Sequence, residues 1–152
     1  MPATNFNNYL GIRIAERHRD GITIECRVRK ELLNFAGVLH GGVTATLVDV
    51  AVGQALAKRL GRFGASTTAE LKINYLRPIT GRKITARSHL LRVGKTLCIA
   101  RVDVFDRDMT TIALRPGGRA GRSREGAIST VLVHLTSISY RLGRTLPSVR
   151  IR

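Results

Sequence analysis

The chain has 152 residues, 43% of them hydrophobic and 24% charged, which suits one domain of ordinary size with a packed core and excludes a disordered, low-hydrophobicity polymer. Its formal net charge of +16 comes from 21 Arg and 5 Lys against 10 acidic residues, a field that draws nucleic acid and phosphate-bearing ligands alike without choosing between them. The longest apolar run, residues 38–57, holds His40, Asp49, Gln54, three glycines and two threonines, too polar a mixture to lie across a bilayer.

Residues 5–10 fit a short helical turn, and Ile12 and Ile14 then fall at strand spacing. Beyond Asp20-Gly21, Ile22, Ile24, Cys26 and Val28 alternate with Thr23, Glu25, Arg27 and Arg29, which predicts a half-buried strand paired with the first as a hairpin. Residues 34–37 read as a loop. From Gly41 or Gly42 to about Leu60 the pattern suits a helix that Gly61 ends, apolar on almost every side and therefore buried on most of them. Three alternating stretches follow, 66–76, 84–93 and 97–105. Arg77-Pro78 closes the first and a tight turn at Gly94-Lys95 joins the other two, so the expectation is an antiparallel meander. The fold class is α+β, a curved antiparallel sheet wrapped around one long helix.

Two readings compete for the remainder. Either 110–114 begins the last strand and all that follows is an Arg-rich extension, or 107–126 is an insertion and 127–139 supplies the strand; the second is preferred because that stretch is longer and more apolar. Residues 1–140 then form a single domain and 141–152 a basic tail. Eight of the arginines and a single acid, Glu125, lie in 115–152. Cys26 and Cys98 both fall inside apolar alternating stretches and read as reduced core residues. With no basic-then-apolar leader at Met-Pro-Ala-Thr-Asn, a cytoplasmic protein is expected.

Asp49 is the only charged residue between His40 and Lys58, in the middle of the predicted helix. An unpaired buried charge is unfavourable by several kcal/mol, so this carboxylate either pairs with a basic residue of the sheet or serves chemistry. Upstream, Asn34 and the run His40-Gly41-Gly42 sit at the mouth of the same helix. Glycines there leave backbone N–H groups unobstructed at the positive end of the helix dipole, which suits a developing oxyanion. Asp49 lies two turns beyond Gly42, on the order of 10 Å along the axis, so it does not easily reach its own glycine amides. A two-fold dimer with antiparallel helices side by side brings Asp49 of one protomer to the Gly41 region of the other.

The segment Asn34-Phe-Ala-Gly-Val-Leu-His40-Gly41-Gly42-Val-Thr-Ala-Thr-Leu-Val-Asp49 resembles the signature of the PaaI-type hotdog acyl-CoA thioesterases, and the resemblance extends over about residues 5–106. It implies the hotdog fold, hydrolysis of acyl-CoA or aryl-CoA thioesters, no cofactor beyond the coenzyme A of the substrate, and a homodimer or dimer of dimers. By the same resemblance Asp49 is the general base or nucleophile and Gly41 the oxyanion donor, with Gly42 beside it. Asn34 and His40 become polar partners of substrate or water, and Thr68 falls where a Ser or Thr positions water. The turn Arg92-Val93-Gly94-Lys95-Thr96 resembles one that holds coenzyme A phosphates, with Arg77 adding to a basic rim; an ordinary exposed turn and a solvated arginine are the plain alternatives. Leu60, Phe63 and Tyr75 are offered as borders of the acyl pocket.

The residues themselves disfavour other chemistry. The chain has no Gly-x-Ser-x-Gly elbow, no dinucleotide or Walker-type glycine loop, and four histidines without metal-ligand spacing. A hotdog domain that binds acyl-CoA without turnover is the alternative function. Aromatics are 5% of the chain, too few for a stacking platform, so no specific nucleic-acid binding is expected.

Overall fold

The computed structural model describes residues 5–61, 66–94 and 96–106, together with the backbone of 129–136. A short helix α1 (Phe6–Leu10) leads into β1 (Arg13–His18) and β2 (Gly21–Arg27), then a 3-10 turn (Lys30–Leu32) and the long helix α2 (Gly41–Leu60). After it come β3 (Thr67–Tyr75), β4 (Lys83–Val93), β5 (Leu97–Phe105) and β6 (Ser129–Thr136).

Local chemistry accounts for the ends of α2. His40 is extended (φ −63°, ψ 133°), and its Nδ1 accepts the Gly42 N–H, satisfying one of the amides that an α-helix leaves open at its start. Gly61 closes the helix in the left-handed region (φ 68°), and Lys58 and Arg59 in the last turn complement the negative end of the dipole. Leu47, Val48, Ala51, Val52, Ala55 and Leu56 are buried against the sheet. Each large apolar side chain removed from water there contributes roughly 1.5–3 kcal/mol. The helix is buried on most sides but not all round. Gly41, Val43, Ala45, Thr46, Asp49, Val50, Gly53 and Gln54 are half-buried, so one side of α2 stays open.

The opposing face of the core is built by alternation. Ile22, Ile24 and Cys26 of β2, Ile84 and Ala86 of β4, and Cys98, Ala100, Val102 and Val104 of β5 turn inward and are buried. Both cysteines are free and buried, as their apolar settings predict. Burial pushes the Cys26 thiol above its ordinary pKa, which keeps it protonated. At the β1–β2 hairpin Gly21 is required by close approach: a Cβ there would stand 1.9 Å from the Ser88 carbonyl oxygen. Register shifts at Ile14/Glu16, Thr68/Glu70 and Leu90/Arg92 bend the strands around the helix.

The sheet order is β1-β2-β4-β5-β6-β3, all neighbours antiparallel. The expected meander is therefore corrected. β4 and β5 pair as a hairpin, but β3 pairs with β6 at the far edge, and β4 lies against β2. Alternation reports which face of a strand is buried, not which strand lies beside it, and the intervening β6 comes from the distant end of the chain. Of the two readings of the last strand, the observed Ser129–Thr136 lies within 127–139. The proposed insertion and the basic tail lie outside the described residues.

Candidate active site

Asp49 sits on the open side of α2, half-buried, and makes no ion pair among the described residues. Its Oδ1 accepts a hydrogen bond from the Thr68 hydroxyl, which β3 brings to the middle of the helix. Asp49 and Thr68, singled out separately in the sequence, are thus in direct contact. At the other end of the same edge strand, Tyr75 Oη donates to the Gly41 carbonyl at 3.0 Å. Two hydroxyls of β3 hold the two ends of the candidate machinery.

At the helix mouth the amides are divided between uses. The Gly42 N–H donates to His40 Nδ1 at 2.9 Å, so both residues serve the cap. The Gly41 N–H has no hydrogen-bond partner among the described residues. Gly41 has room as well: an added Cβ would lie 3.4 Å from the Tyr75 ring, an ordinary contact. Asn34 closes its own loop, with Oδ1 accepting from the Ala36 N–H at 2.9 Å and the Val38 N–H at 3.3 Å. Its carbonyl oxygen is thereby committed to backbone.

A cleft of about 410 Å³ opens beside Gly41. Its walls come from the loop before α2 (Asn34, Val38, Leu39), from Gly41 and Thr44, and from the β3–β4 connection, 75–79. Leu39 N–H donates to Ile79 O at 3.1 Å and ties the two walls together. Tyr75 and Arg77 both line this cleft; Phe63 lies outside the described residues. Thr44, deep in the wall, was not anticipated; its buried hydroxyl has no partner among the described residues. The exposed pair Tyr75-Leu76 just before Arg77-Pro78 was the available signal for this wall, since two large apolar groups at a strand's end serve no core.

The turn at Arg92, Val93, Gly94 and Thr96 is not brought to Gly41 within one protomer. Leu90, just ahead of it, lines a cleft with Ala55, Lys58 and Arg59, at the C-terminal end of α2, whereas Gly41 starts that helix. Gly94 closes this turn through its N–H to Leu97 O at 3.1 Å; Lys95 lies outside the described residues.

Comparison with known proteins gives the family. The family profile described as thioesterase superfamily matches residues 36–113. The medium/long-chain acyl-CoA thioesterase YigI of Salmonella typhimurium is 34% identical, over 71% of this chain and 79% of its own. Human acyl-coenzyme A thioesterase 13 is 35% identical, over 69% of this chain and 76% of its own. Among solved structures, the E. coli PaaI protein of the phenylacetic acid degradation operon superposes with a TM-score of 0.67 at 18% identity, covering 87% of this chain and 83% of that one, a likeness of fold.

Proposed function

The chain belongs to the thioesterase superfamily, with the hotdog fold, and is a thioester hydrolase; from that premise we propose that it cleaves acyl-CoA or aryl-CoA thioesters at sites that two protomers build together. The observation that carries the reading is a half-buried helical carboxylate, Asp49, held by a hydroxyl and not by a cation. A carboxylate placed for stability alone is better served by a cation, and Arg and Lys are abundant in this chain. Left without one, it keeps its capacity to accept a proton or attack a carbonyl.

In this mechanism Asp49 acts on the thioester carbonyl, as base toward water or as nucleophile. As base, it takes a proton from water while the water oxygen bonds to the carbonyl carbon; the C–S bond then breaks, and the coenzyme A thiolate recovers the proton. Thr68 fixes the carboxylate for this step. The Gly41 N–H of the opposing protomer donates to the oxyanion, where one such donor is worth about 10²–10³ in rate. Asp49 and its own Gly41 are eight residues apart, roughly 12 Å along the axis. The open side of α2 and the edge position of β3 support a two-fold neighbour on this face. No cofactor enters the reaction so written. The dimer-of-dimers state and a cytoplasmic setting belong to the same proposal; among the described residues no helix is long and apolar enough to cross a membrane.

Release of free thiol from a panel of acyl-CoA chain lengths, phenylacetyl-CoA and benzoyl-CoA tests the reading. A wild-type protein inert to all of them supports instead binding without turnover. The shared site has its own test. Mixing inactive Asp49→Asn protomers with inactive Gly41→Pro protomers creates heterodimers with one intact site, and about a quarter of wild-type activity returns. No recovery places each site within one protomer.

A further inference from the structure

At the β1–β2 end of the sheet, the far end of the strand order from β3, lies a second cleft of about 230 Å³. Leu10 and Gly11 form one wall, and Arg13, Arg27, Arg29 and Lys83 surround it with a single carboxylate, Glu25. Both oxygens of that carboxylate are engaged: Oε1 accepts from Arg13 Nε at 2.7 Å, and Oε2 lies 3.1 Å from Lys83 Nζ. Burial would raise the Glu25 pKa, yet these two cations outweigh it and hold the group below its ordinary value, so it stays ionised and keeps both in place. Arg29 is fixed separately, with Nη2 donating to Tyr9 O at 2.7 Å and its guanidinium stacked 5.9 Å from the centre of the Tyr9 ring. Arg27 has no ion pair among the described residues, and it stands directly opposite Lys83 in the β2–β4 register. Like charges directly opposed across antiparallel strands destabilise the pair.

Four cations thus surround one cleft with one carboxylate between them. Three are held in position by neighbours, and the fourth is left facing the opening. Arginine forks match the oxygens of a tetrahedral anion, and fixed donors lose little freedom on binding it. We propose that this cleft is a binding site for a phosphomonoester dianion, recognised by Arg27 together with the pre-positioned Arg13, Arg29 and Lys83. The inference stands on this cleft alone and does not depend on Asp49. The phosphate can belong to a free phosphorylated metabolite or to the 3′-phosphate of coenzyme A.

Calorimetric titration of the full chain at low salt with inorganic phosphate, adenosine 3′,5′-bisphosphate, coenzyme A and dephospho-coenzyme A tests it. The bisphosphate binds, and Arg27→Gln weakens it about tenfold or more, with Arg13→Gln weakening it further. Arg17→Gln, an exposed strand arginine outside the cleft, removes the same formal charge and leaves affinity within about twofold. Coenzyme A binding more tightly than its dephospho form, with the gap abolished by Arg27→Gln, assigns the 3′-phosphate; equal binding of the two, with the bisphosphate and inorganic phosphate still sensitive to Arg27, assigns a free phosphate. Equal losses from Arg27→Gln and Arg17→Gln, or no binding of any of the four up to about 10 mM, overturn the proposal. Arg27 is exposed, and unchanged thermal midpoints show that the variants fold. The readout is binding, so it is independent of whether the protein hydrolyses any thioester.

Discussion

The two sides of this molecule treat their carboxylates differently. On the sheet face away from α2, Asp20 accepts from Arg87 at 2.5 Å and lies 3.0 Å from His89, Glu25 pairs with Arg13 and Lys83, and Asp103 lies 3.4 Å from both His89 and Arg101. On the helix side, Asp49 receives a hydroxyl and makes no ion pair among the described residues. A cation beside a carboxylate lowers its proton affinity and blocks its approach to an electrophile, so paired acids hold strands in register whereas the unpaired one remains reactive.

The contrast breaks most sharply at Asp49 itself. Asp49→Asn keeps the shape and a hydrogen-bond acceptor for Thr68 but removes the base, so thioester hydrolysis falls by about 10²–10⁴ while coenzyme A binding survives. Thiol-release kinetics and calorimetry on the same preparation check this. If Asp49→Asn lost no activity, the helix carboxylate would be structural like the others.

Gly41→Pro follows in size. Position 41 is the first residue of α2, where proline lacks only an amide that the helix does not use, and His40 already has the extended backbone that precedes proline. The thermal midpoint therefore stays close to wild type, while loss of the N–H lowers the rate by about 10²–10³. Equal loss of stability and activity would make the glycine a packing requirement.

Thr68→Val is the smaller test on this side. The swap removes the donor to Asp49 at similar volume, and a hydrogen bond to a charged group is worth about 1.5–3 kcal/mol, so the rate drops roughly tenfold or more. Thr68→Ser restores it. The kinetic constants add a second readout: Thr68→Val lowers kcat and leaves KM near wild type. A loss of thermal stability with kcat unchanged leaves Thr68 a structural contact only.

Much of this was legible in the chain because it is local. The helix from Gly41 to Gly61 and the hairpin across Asp20-Gly21 follow from caps and turn residues within one segment. Thr68 was placed by resemblance and lands on Asp49. What could not be read is non-local. β6 inserted between β5 and β3 has no trace in the alternation of 66–76, and the roles of Asn34 and His40 as loop and cap acceptors depend on which way short side chains turn. Which side of α2 stays open could not be read for a related reason: small and apolar residues there, such as Ala45, Val50 and Gly53, look identical in sequence whether they meet a sheet or not.

The smallest expected effect lies on the paired side. Asp20 is opposed by burial, but hydrogen bonds from Arg87 and His89 more than compensate and bring its pKa down from 3.8 to about 2. A folded-state pKa below the unfolded one means that the ionised form contributes stability, fully present above the unfolded value and lost as pH falls through the folded one. The window is therefore from about pH 4 down to about pH 2. Because Asp20 is half exposed, solvent screening limits the contribution to about 1 kcal/mol or less. Asp20→Asn is thus less stable than wild type in urea at pH 7 by that margin, the difference shrinks toward zero near pH 2, and thioester hydrolysis at pH 7 is unchanged. A stability gap of the same size at both pH values would mean that Asp20 acts through its shape and not its charge, and the division between paired, structural carboxylates and the reactive Asp49 would lose its electrostatic basis.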